Sequence, residues 1–133
     1  MEKSDAVKKI LIVDDDIDLL LQLKMQLEAA GFEVISAESL EQAEKRLKEV
    51  RPDCAIVDLM MEHMDAGFTL SYHIKKIDSS IPVIMVTAVT RETGIEFDRT
   101  EDGSHSWLKA DVVLAKPIRF EQLQHEIKRL LKG

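Results

Sequence analysis

At 133 residues, with 45% apolar and 32% charged residues, the chain has the size of one domain with a proper hydrophobic core. Its 25 acidic residues against 18 basic ones give a formal charge of −7, which argues against nucleic-acid binding because phosphate contacts need a basic surface. The single cysteine, Cys54, excludes an intramolecular disulfide, and no apolar run approaches the roughly 20 residues that span a bilayer.

The first apolar run, Ile10 to Val13, is short and rich in β-branched residues, and it stops on Asp14-Asp15. That form predicts a strand buried on both faces of a parallel sheet. Ile17, Leu20, Leu21, Leu23 and Leu27 then predict a helix with a broad apolar stripe, closed by Gly31. Phe32 to Ala37 reads as a second strand. Ser39-Leu40-Glu41-Gln42 has the form of a capping box and opens a helix carrying Leu40, Ala43, Leu47 and Val50 on one face.

Arg51-Pro52-Asp53 ends that helix and feeds a third strand, in which Cys54 packs as a small hydrophobe and Ala55-Ile56-Val57 stops at Asp58. Gly67 to Ile77 carries Leu70, Ile74 and Ile77 at helical spacing, and Val83 to Val86 is a fourth strand that stops at Thr87. Between Val89 and Asp111 the residues Ile95, Phe97, Trp107 and Leu108 follow no clean period, so a long connection containing some helix is expected. Val112 to Ala115 forms the fifth strand and stops at Lys116-Pro117. Phe120, Leu123, Ile127 and Leu130 mark the last helix, over Phe120 to Leu131.

Alternating strands and helices predict a doubly wound α/β fold: a five-stranded parallel sheet in the order 2-1-3-4-5, within a flavodoxin-like three-layer sandwich. The whole chain, residues 1–133, is expected to be one such domain with its core over about 9–132. In a parallel sheet every strand ends on the same edge, so the chain is expected to bring three carboxylates, a hydroxyl and an ammonium to one spot. Clustered carboxylates repel one another unless a cation sits among them. An all-oxygen set favours a hard ion, Mg2+ above all. A carboxylate beside such an ion, with an ammonium and a hydroxyl nearby, is equipped for phosphoryl chemistry. Asp58, central among these residues, is the candidate nucleophile, and its product would be an aspartyl-phosphate.

Leu11-Ile12-Val13-Asp14-Asp15-Asp16, Ile56-Val57-Asp58, Met85-Val86-Thr87-Ala88 and Leu114-Ala115-Lys116-Pro117 together resemble the motifs of the bacterial response-regulator receiver domain. The match runs in order along nearly the whole chain. The resemblance implies that Asp58 accepts a phosphoryl group from a histidine kinase or histidine phosphotransfer protein. It also implies that Asp15, Asp58 and the Met60 backbone carbonyl bind Mg2+ directly, with Asp14 acting through water. Thr87 and Lys116 would each bind a phosphoryl oxygen, and output would pass through contacts with a downstream protein. A cytoplasmic monomer or weak dimer, without nucleic-acid or membrane contacts, is expected. The polar stretch Met1 to Lys9, which lacks the apolar core of a signal peptide, agrees with that location.

The chain departs from the family pattern at Glu62, where a proline is usual, and at Asp65-Ala66-Gly67, which is one residue longer than the common pair. It departs again at Lys109-Ala110-Asp111, and at Val113, where an aromatic usually takes part in switching. These departures imply an output route other than threonine–aromatic coupling. Met60 and Val89, both apolar beside the predicted phosphoryl site, imply slow phosphoryl loss, since neither side chain positions a water. The alternative function is a receiver-fold binding module read without phosphorylation, against which the intact Asp15, Asp58, Thr87 and Lys116 set argues. A flavin carrier needs a Ser, Thr or Gly-rich phosphate loop where acids stand here. His63, His73, His105 and His125 share no metal-ligand spacing, and His73, three residues after Leu70, is a candidate for the core.

Overall fold

The computed structural model describes residues 7–58, 66–87, 111–116 and 118–132. In chain order these form β1 (Lys9–Val13), α1 (Ile17–Ala29), β2 (Glu33–Ala37), α2 (Leu40–Glu49), β3 (Cys54–Asp58), α3 (Ala66–Ile77), β4 (Val83–Thr87), β5 (Val112–Ala115) and α4 (Phe120–Lys132). All four strand pairings are parallel, and the sheet order is β2-β1-β3-β4-β5, as the alternating pattern predicts.

Strand side chains alternate between two buried clusters, one on each face of the sheet. Ile10, Ile12, Cys54, Ile56, Ile84, Val86 and Leu114 pack with Leu20, Leu23 and Leu27 of α1 and Leu123 and Ile127 of α4. On the other face Leu11, Val13, Ala55, Val57, Val83 and Met85 pack with Ala43 of α2 and Leu70 and Ile74 of α3. β3 and β4 are buried along their whole length, which is why their sequences run apolar without alternation.

Local signals set the helix ends. The Asp16 side chain caps α1 by accepting the Leu19 amide at 3.2 Å. At the other end Gly31 takes φ 100°, its amide reaches Glu28 O at 3.0 Å, and the Phe32 amide reaches Leu27 O at 3.0 Å. These bonds make a Schellman stop that needs glycine at the left-handed position. Ser39 Oγ caps α2 through the Gln42 amide at 3.1 Å. Gln42 Oε1 accepts the Glu38 amide at 3.0 Å, so the reciprocal half of the expected box falls one residue early.

The expected stripes are broader than the observed ones. Ile17 and Leu21 of α1 and Ile77 of α3 are 57%, 56% and 51% exposed. A helix lying on one face of a sheet buries only the side chains that point at it, and Leu20, Leu23 and Leu27 take that arc in α1. His73 also faces outward: its ring pairs with Glu44 of α2 instead of entering the core. Most of the long 89–111 connection, with Trp107 and His105, lies outside the described residues, as do Met60, His63 and Val89.

Candidate functional site

The register of the sheet assembles the site. Val13 pairs with Val57, Asp58 with Val86, and Thr87 with Ala115, so the four strand ends lie level. Asp14 follows β1, Asp58 and Thr87 end β3 and β4, and Lys116 follows β5. Counting by twos, Asp14, Asp58 and Lys116 continue the rows that face α1 and α4, whereas Thr87 continues the Val83 and Met85 row facing α2 and α3.

Asp14, Asp15 and Asp58 each offer a carboxylate oxygen, and the three oxygens lie within 4.8 Å of one another. Asp14 and Asp58 are buried at 4% exposure, while Asp15 is exposed and forms the mouth. Lys116 Nζ stands 3.3 Å from Asp14 Oδ2 and 3.5 Å from Asp58 Oδ2. Asp14 is oriented further because its Oδ1 accepts the Asp16 amide at 2.9 Å, which ties it to the start of α1. The Lys116 backbone is tied to β4 by a 2.9 Å bond from its amide to Thr87 O.

Burial alone lowers the pKa of the Lys116 ammonium, but the Asp14 and Asp58 carboxylates outweigh it, and the pKa is raised above 10.5. Lys116 is therefore a fixed positive charge at neutral pH. Three carboxylates against one ammonium leave two negative charges at the edge of a buried sheet, a deficit suited to one divalent cation. Thr87 Oγ1 is buried with no hydrogen-bond partner among the described residues. An orphaned buried hydroxyl costs about 1–3 kcal/mol.

The structure thus gathers Asp14, Asp15, Asp58 and Lys116 and puts Thr87 at the end of the neighbouring strand on the same sheet edge, while Met60 lies outside the described residues. Val113 is half-buried, packed against the cluster under α2 and α3 and paired with Met85 in the sheet. Sequence reasoning missed the α2–α3 contact between Glu44 and His73, because nothing local distinguishes a helix-to-helix pair from two solvated side chains.

The model of the response regulator receiver domain matches residues 10–128. The chain belongs to that family. It is therefore a receiver domain of the two-component type, a class that signals without enzymatic turnover and binds Mg2+ at an acidic pocket. Among curated proteins, the probable transcriptional regulator ycf27 of Cyanophora paradoxa is 33% identical over 129 residues, covering 94% of this chain and 48% of its own length. This receiver chain spans about half the length of the curated relatives it matches.

Among solved structures, a CheY-like receiver domain protein from Methanospirillum hungatei has 26% identity and a TM-score of 0.79, covering 96% of this chain and 95% of that one. The response regulator TrrA from Thermotoga maritima, solved in complex with Mg2+–BeF, has 27% identity and a TM-score of 0.74, covering 93% and 99%.

Proposed function

We propose that this receiver is a phospho-aspartate switch in which Asp58 is the phosphoacceptor, supplied by the phosphohistidine of a histidine kinase or histidine phosphotransfer protein. The observation that carries the reading is Lys116 Nζ, which reaches both Asp14 and Asp58, two members of the three-carboxylate cluster. In the transfer an Asp58 carboxylate oxygen attacks phosphorus in line, the N–P bond of the donor breaks, and the electron pair leaves with the imidazole nitrogen. The product is an acyl phosphate on Asp58.

Lys116, cationic at neutral pH, neutralises a phosphoryl oxygen as charge develops there. Thr87 Oγ1, which has no partner among the described residues, gains an acceptor in the phosphoryl group. Asp15, Asp58 and the Met60 carbonyl would hold Mg2+ directly, and Asp14 would hold it through water. The ion supplies neutralisation of the phosphoryl oxygens when bound. Output runs through protein contacts, a reading that the net charge of −7 supports because phosphate contacts need a basic surface. Among the described residues no helix is long and apolar enough to cross a membrane, in keeping with the cytoplasmic setting proposed for this single domain.

The test is incubation with Mg2+ and acetyl phosphate, followed by intact mass. A gain of one phosphoryl group is expected, absent in Asp58→Asn and absent with chelator. Absence in the unaltered protein overturns the reading in favour of a fold read without phosphorylation. Loss of the label is expected to be slow and to accelerate in Met60→Asn or Val89→Glu, which restore a side chain able to hold water. Rapid loss that these variants leave unchanged defeats that part of the proposal.

A further inference from the structure

We propose that the groove between α2 and α3 docks an acidic amphipathic helix of a partner protein. The inference goes beyond the phosphoryl reading and uses none of its residues. The groove is a cavity of about 500 Å3 lined by Glu44, Leu47 and Lys48 of α2 and by His73, Lys76 and Ile77 of α3. Its apolar floor is Leu47, half-buried, and Ile77, which is 51% exposed despite lying at the helical spacing of a core residue. Two neighbouring helices form a trough that runs along them, a shape into which a third helix lays an apolar face.

Charge decides the occupant. Lys48 and Lys76 have no carboxylate partner among the described residues. Lys76 instead lies over the exposed Tyr72 ring, 5.7 Å from its centroid. Glu44, the one acid among the described residues that line the groove, is engaged by His73. The groove therefore offers two ammoniums without a carboxylate partner among the described residues, beside apolar surface, in a chain whose net charge is −7. A local sign opposite to that of the whole molecule steers an acidic helix to this face, while a basic one meets like charge here.

The test selects helical peptides from a displayed library on the unphosphorylated full chain. The winning peptide is then mapped by amide chemical shifts and titrated against Lys48→Glu/Lys76→Glu and Lys48→Arg/Lys76→Arg. The expected result is a consensus with apolar residues one turn apart and acidic flanks, with shifts confined to residues 44–48 and 72–77. Affinity should fall at least ~10-fold in the glutamate variant and hold in the arginine variant. A thermal melt controls for folding of both. Peptides that bind the glutamate variant equally, map to another face or carry no acids overturn the proposal, as does a selection that yields none.

Discussion

At the amino edge of the sheet, Asp111 Oδ2 accepts both Lys75 Nζ and the Val83 amide at 2.8 Å, and Lys75 Nζ also donates to Ile81 O at 2.7 Å and Ser79 O at 3.3 Å. Asp53 Oδ2 takes the Lys9 amide at 2.7 Å. At the carboxyl edge two of three clustered carboxylates share one lysine, at 3.3 and 3.5 Å, and a buried hydroxyl has no partner among the described residues. The two edges carry the same kinds of group, yet one is saturated and the other is short of positive charge and of an acceptor. Saturation fixes strands in place, whereas the deficit leaves room for a ligand.

The largest effect that sharpens this contrast is Asp58→Asn. It is expected to abolish phosphoryl incorporation completely while the denaturation midpoint stays level or rises, because removing one of three clustered like charges relieves repulsion. Chemical denaturation beside the mass assay reads both, and a marked loss of stability would count against a functional carboxyl edge. Asp111→Ala, at the other edge, should cost about 1–3 kcal/mol by leaving the Val83 amide and Lys75 without their shared acceptor. Its phosphoryl incorporation should remain, and loss of incorporation with the fold intact would erase the division between edges.

Thr87→Ala is expected to change free-state stability by less than about 1 kcal/mol, since the lost methyl contact and the removed unsatisfied hydroxyl oppose each other. The beryllofluoride-activated form should lose far more of its added stability than the free form does. Equal losses in both would show that the hydroxyl already has a partner.

The smallest effect is alkaline. Burial, with a further contribution from the Asp111 charge, pushes the Cys54 thiol up to about 12 from 9.0. The fold therefore favours the neutral thiol. That contribution is whole below pH 9.0 and is lost as pH rises towards 12. Lys116, raised above 10.5, acts in the same direction: its contribution is whole below 10.5 and is lost above the folded value. Urea midpoints across this range should fall, less steeply in Cys54→Ala and, above pH 10.5, in Lys116→Met. Midpoints equally steep in all three proteins would remove both assignments.

The sequence by itself determined the strands, their order and the residues at their ends. Continuous β-branched runs have no stable home except a sheet covered on both faces, and right-handed crossovers leave few ways to thread five of them. Gly31 and Ser39 likewise announced helix ends, because their backbone and side-chain chemistry acts within a few residues. Tertiary structure alone decided the rest. Whether Ile17, Leu21 and Ile77 are buried depends on which arc of each helix meets the sheet, and periodicity cannot fix that arc to within one residue. Lys75 and Asp111, 36 positions apart, and Glu44 and His73, 29 apart, meet only because packing sets strand register and helix spacing. That Thr87 Oγ1 has no partner among the described residues has the same origin, since burial without a partner is a property of what is folded around it.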